Sequence, residues 1–246
     1  MFFSSLVPLV LAAVTVANPV KRQLAQVITN CANDNDAALT FDDGPWQYQT
    51  DIVNTLNDAG AKGTFFLNGN NYGCIYDQDL VDGLKYAYSQ GHQLASHTWS
   101  HSDLTTLTWD QIHDEMWRVE EALQKIVGAT PAFMRPPYGN YNDQVLSASY
   151  VRGQSVVYWS FDSGDSTGTP PDESNGMYDG LVGEHPGGII ALNHETYDTT
   201  AYQVLPHAIQ DLQSAGYNLV TVAECMGMEP YQNFQDPGER DDSWTC

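Results

Sequence analysis

Short apolar, strand-like runs alternate with longer amphipathic patterns along almost the whole chain, and this alternation constrains the fold more than any other feature. The strand-like runs are Ala37–Phe41, Gly63–Leu67, His92–Ser96, Ala132–Arg135, Ser155–Phe161, Gly188–Asn193 and Asn218–Thr221. Helical patterns fill the gaps at Thr50–Ala59, Asp77–Gln90, Trp109–Val127, Asn142–Tyr150, Asp172–Gly183 and Ala201–Ala215. The Trp109 segment is the clearest helix: Thr108 can cap it, and Ile112, Met116, Val119 and Leu123 form one apolar stripe. Gly60, Gly91, Gly128 and Gly216 stand where helices end. Strict alternation of this kind implies parallel βα units. Seven strand-like runs suggest a single-domain barrel of about seven parallel strands, distorted or incompletely closed, with its chemistry where strands end and loops begin.

The chain has 246 residues, of which 42% are hydrophobic and 11% aromatic, enough for one real core. No linker, repeat or low-complexity tract divides it. Nine Lys and Arg face 31 Asp and Glu, for a formal charge of −22. Bases this scarce cannot neutralise a phosphate backbone, so no nucleic-acid partner is expected, and an anionic membrane surface is disfavoured for the same reason.

Residues 1–17 carry an apolar run from Leu6 to Ala17, too short to span a bilayer and of signal-peptide length. The dibasic pair Lys21-Arg22 follows, so 18–22 reads as a short pro-segment and 23–246 as the mature domain of a secreted, extracellular protein. Its alternative is a frayed N-terminus with no second cut. Four cysteines, Cys31, Cys74, Cys225 and Cys246, suggest two disulfides in an oxidising compartment. Spacing alone does not choose among the three pairings.

Polar residues gather at the strand ends. The first strand ends in Thr40-Phe41-Asp42-Asp43, the third runs into His97-Thr98-Trp99-Ser100-His101, and the fourth ends in Arg135-Pro136-Pro137-Tyr138. Asp162-Ser163-Gly164-Asp165 follows the fifth, and the sixth ends in Leu192-Asn193-His194. Two histidines four apart would share a face of a helix and could grip a metal, with a carboxylate from another strand end completing a three-ligand site. Adjacent acids point in different directions, so one of Asp42 and Asp43 can bind the cation while the other takes a proton.

These five blocks, in this order, resemble the motifs of the polysaccharide deacetylases of carbohydrate esterase family 4, over about Ala37 to Cys225. The resemblance implies a distorted (β/α) barrel holding one divalent ion on Asp43, His97 and His101. Zinc suits two imidazoles and a carboxylate, and cobalt is not excluded. It further implies Asp42 as general base, Arg135 as the residue that orients it, and the Tyr138 backbone N–H as oxyanion donor. Independently, Pro136 and Pro137 have no N–H, so Tyr138 carries the first donor after Arg135. His194 is implied as general acid, paired with Asp165, and Leu192 and Trp159 as a pocket for the acetyl methyl. The family's fourth motif has Trp where this chain has Ser166, so the cleft wall is expected to differ at that point.

Asn68-Gly69-Asn70-Asn71-Tyr72 resembles a loop of fungal chitin deacetylases, whose branch also implies Cys31–Cys225, with Cys74–Cys246 left by exclusion. The expected protein is a monomeric enzyme that removes N-acetyl groups from N-acetylglucosamine in chitin or its oligomers. The alternatives are O-deacetylation of acetylxylan by the same site, or a catalytically inactive carbohydrate-binding protein. His92, His113, His185 and His207 match no motif and read as surface or structural residues.

Overall fold

The computed structural model describes residues 23–246; the expected signal peptide and pro-segment lie outside them. Its strands are β1 (Val27–Ile28), β2 (Asp36–Gly44), β3 (Gly63–Leu67), β4 (Gln93–Ser96), β5 (Ala129–Pro131), β6 (Phe133–Met134), β7 (Ser155–Val157), β8 (Phe161–Asp162), β9 (Ile189–His194), β10 (Asn218–Leu219) and β11 (Tyr231–Phe234). Its helices are α1 (Gln49–Asp58), α2 (Gln78–Ser89), α3 (Trp109–Val127), α4 (Asp143–Val151), α5 (Pro171–Glu184), α6 (Leu205–Ser214) and α7 (Val222–Met226).

Nine strands form one all-parallel sheet, in the order β1-β7-β6-β4-β3-β2-β9-β8, with β10 beside the start of β2. The sheet curls with helices outside it, as the alternation implied. The expected strand Ser155–Phe161 is broken in the middle: β7 pairs with β1 and β6, whereas β8 pairs with β9 at the other end of the sheet. Between them, Tyr158 N–H donates to Ile28 O and Ser160 N–H to Ile190 O. One short segment thus passes from the strand next to one edge of the sheet to the strand at the other edge, and the two ends are linked through the chain rather than through a continuous ladder. The sequence reading also missed β1, β5 and β11, the last two pairing antiparallel with each other. It placed a strand end at Thr221, which instead caps α7 in a capping box with Glu224.

Period-two alternation sorts the strands into two environments. Ala37, Leu39 and Phe41 of β2 pack toward the helices with Phe65 and Leu67 of β3 and Ala191 of β9. Ala38, Phe66, Ala95, Phe133, Val157 and Ile190 fill the barrel instead. Register then builds rungs: Ala38 pairs with Ile190, Thr40 with Leu192, and Asp42 with His194. The interior is apolar at its lower rung and polar at its mouth, because the inward positions of β2 and β9 become polar toward their C-terminal ends.

Two disulfides, Cys31–Cys225 and Cys74–Cys246, join distant parts of the chain. The first packs against Ala38, Ile190 and Val222 at the base of the barrel. α3 forms as read, with the Thr108–Gln111 capping box at one end and left-handed Gly128 at the other.

Candidate active site

At the mouth of the barrel a cleft of about 430 Å³ is lined by Asp42, Asp43, His97, His101, Tyr138, Trp159, Leu192 and His194, together with Pro136, Gly139, Asp162, Ser166 and Thr167. Arg135 and Asp165 lie behind this surface and support it. Every site residue expected from the sequence is therefore either in the cleft wall or directly behind it.

Arg135 is fully buried and runs through the barrel interior, its guanidinium 4.2 Å from the Phe66 ring. It donates to Asp42 Oδ1 (2.7 Å), Thr40 Oγ1 (2.8 Å), Tyr158 O (2.9 Å) and Val157 O (3.3 Å). One Asp42 oxygen is thus held and the other remains for chemistry. Burial pushes the Asp42 carboxyl above its usual range and outweighs the opposing effect of Arg135 and His194. Arg135 alone would lower this pKa; burial of the carboxyl, set by the whole barrel, decides the direction.

His97 Nδ1 lies 2.7 Å from the Arg135 carbonyl, which fixes it as the donor and leaves Nε2 facing the cleft. Burial lowers the His97 pKa to about 3, so this imidazole is neutral, the form a metal requires. His97 Nε2 is 3.6 Å and His101 Nε2 3.2 Å from Asp43 Oδ1. That oxygen is buried and has no hydrogen-bond partner among the described residues. An orphaned carboxylate oxygen facing two imidazole nitrogens fits a divalent cation.

The histidines do not converge by sharing a helical face. The 97–103 segment is a loop, and left-handed backbone at Thr98 (φ 72°) and His101 (φ 56°) turns the side chains together. Asp43 (φ 71°) and Tyr138 (φ 60°) are left-handed too. Four of the five non-glycine residues at positive φ among those described thus lie in this site. Such backbone costs about 1–3 kcal/mol per residue and persists only where its surroundings hold it.

Part of that support is Asn68, which sequence reading assigned only to a family-like loop. It is buried, and its amide donates to His97 O (2.6 Å) and Thr98 O (3.0 Å), pinning the histidine loop from behind. Its partners lie about thirty residues away, so nothing local signals the role.

Across the cleft, Asp165 Oδ1 lies 2.7 Å from His194 Nδ1, while Asp165 Oδ2 accepts from His194 N–H (2.7 Å) and Thr200 Oγ1 (2.8 Å). Burial of His194 opposes its charge most strongly. The hydrogen bond and charge of Asp165, with Asp42 and Asp43, outweigh it and raise the pKa to about 9. His194 is thus protonated at neutral pH and presents Nε2 to the cleft. Trp159 stacks on Tyr158 with ring centres 4.0 Å apart, and Tyr138 leans edge-on against His101 at 4.7 Å. Ser166 is exposed and lines the cleft.

Residues 29–156 match the polysaccharide deacetylase family. The chain is 36% identical over 222 residues to a chitin deacetylase of Pestalotiopsis sp., covering 88% of this chain and 74% of that one. The chain belongs to the polysaccharide deacetylase family. It is a polysaccharide deacetylase, a hydrolase that removes acetyl groups. A chitin deacetylase of Arthroderma benhamiae is 34% identical over 87% of this deacetylase, which spans 57% of that protein's length. The chitin deacetylase structure from Colletotrichum lindemuthianum superposes with a TM-score of 0.81 at 28% identity, covering 87% of this chain and 96% of that one. The four unassigned histidines of this deacetylase lie outside the cleft; His92 is buried, with its pKa lowered to about 4 by that burial.

Proposed function

We propose that this chain is a secreted, zinc-dependent deacetylase that hydrolyses the N-acetyl groups of N-acetylglucosamine residues in chitin or its oligomers and releases acetate. One observation carries the reading: an orphaned Asp43 oxygen and two imidazoles converge on one side of a cleft whose other side holds a protonated His194.

Asp43, His97 and His101 would hold the ion. A divalent cation there would polarise the acetyl carbonyl and lower the pKa of a water. Asp42 Oδ2, the oxygen free of Arg135, accepts the proton of the attacking water as the new C–O bond forms. The Tyr138 N–H donates to the oxygen that gains charge. His194 Nε2 gives its proton to the nitrogen as the C–N bond breaks, and Asp165 keeps the ring oriented and charged until then. Leu192 and Trp159 enclose the methyl group. Acetic acid, which ionises to acetate, and a free amine leave; one water is consumed, and Asp42 loses its proton and His194 regains one from solvent before the next turnover.

The two disulfides support extracellular residence. Residues 1–17 would be the signal peptide, 18–22 a pro-segment, and 23–246 the monomeric catalytic domain. No described helix is long and apolar enough to cross a membrane.

Acetate release measured side by side on N-acetylglucosamine oligomers and acetylxylan tests the substrate. Acetate with matching new amines from the first supports the reading; rapid release from acetylxylan with none from the oligomers overturns it.

A further inference from the structure

Glu195 follows His194 at the end of β9, is fully buried, and has no part in the steps above. Its backbone N–H donates to Asp42 O at 3.1 Å, and its Oε1 accepts the Trp46 N–H at 2.8 Å. A single residue therefore holds both ends of the turn from Asp42 to Trp46. In the middle of that turn, a Cβ on Gly44 would run into the Glu195 carboxyl, so the carboxyl lies directly on the Gly44 backbone. Oε2 is also buried and makes no hydrogen bond of ordinary geometry, although the side-chain amide of Gln49 stands near it. A carboxyl kept in such a place costs free energy that an apolar side chain of similar size would not. What it gains is control of a turn that contains Asp43, whose backbone is left-handed.

We infer that Glu195 is a positioning residue that clamps the Asp42–Trp46 turn, so that Asp43 keeps its left-handed backbone and aims Oδ1 at His97 and His101. Glu195 is to Asp43 what Asn68 is to His97, a buried polar side chain that fixes the backbone behind a ligand. The inference rests on the reading that Asp43, His97 and His101 hold a cation. It assigns Glu195 neither contact with that cation nor a proton transfer.

The test measures Zn²⁺ affinity by competition with a chromophoric chelator and the visible spectrum of the Co²⁺-substituted protein. The proteins are the parent, Glu195→Ala, Glu195→Gln and Gly44→Ala, each melted in chelator to establish that it is folded at the assay temperature. Glu195→Ala is expected to lose Zn²⁺ affinity by about 10- to 100-fold and to shift the Co²⁺ band. Glu195→Gln keeps an acceptor for Trp46 N–H and is expected to recover most of both. Gly44→Ala displaces the same carboxyl from the opposite side and is expected to reproduce the loss, which decides the matter if Glu195→Ala does not fold. Folded Ala variants with the parent's affinity and spectrum overturn the inference and leave Glu195 a packing residue. A parent that binds no Zn²⁺ overturns the underlying reading instead, and the inference with it.

Discussion

Asp42 on β2 and His194 on β9 are register partners on neighbouring parallel strands, so a buried carboxylate and a protonated imidazole stand on the same rung of the barrel. Each is held from behind by a partner of opposite charge, Arg135 for Asp42 and Asp165 for His194. The environment raises both pKa values, and the deacetylation scheme needs the two groups in opposite protonation states.

This arrangement sets the pH dependence. The His194 pKa rises from 6.5 to about 9, so the acid is charged at neutral pH and lost as pH climbs through about 9. Its stabilising effect on the fold is fully present below about 6.5 and disappears over the same upper window. Asp165→Asn leaves burial to dominate, and the alkaline limb of the kcat profile is expected to move down by about 1–3 units. The check is kcat against pH for parent and variant.

Asp42→Asn is expected to bind metal like the parent and to lose most turnover, because the amide cannot accept the water's proton. Metal content and acetate release measured on the same sample separate the two effects. Unchanged turnover would remove Asp42 from the base role.

Arg135→Met leaves the Asp42 carboxylate buried without its cation. Breaking a buried pair on one side costs about 3–5 kcal/mol, so thermal and denaturant unfolding should both show a large loss of stability as well as of activity. A variant as stable as the parent would mean that Asp42 is not ionised beside Arg135.

The Cys31–Cys225 bridge joins residues 194 apart at the base of the barrel, away from the cleft. Replacing both cysteines with serine is expected to lower stability by up to about 5 kcal/mol on the chain-entropy account. KM should change little, as denaturant titration and steady-state kinetics will show.

Much of the fold was legible because its signals are local. α3 carries its own cap, stripe and terminal glycine, and β2, β3, β4 and β9 are apolar runs ending in polar blocks. The break between Val157 and Phe161 was not legible, since both halves have strand-like composition and only their partners differ. β1 has two residues and no periodicity to read. At the site, the motif blocks named the residues that face the cleft. They did not name Asn68 or Glu195, whose polar side chains act on backbone far away in sequence. Nor did they show that left-handed turns at Thr98 and His101, rather than a helix, bring the histidines together.

The central claim is that Asp43, His97 and His101 hold one catalytic cation. Elemental analysis of the purified protein before and after chelation, with acetate release followed on the same samples, tests it most directly. About one divalent ion per chain is expected, with activity lost on chelation and restored by Zn²⁺, and with neither the ion nor the activity retained in His97→Ala. Full activity in chelated protein that holds no metal would contradict it.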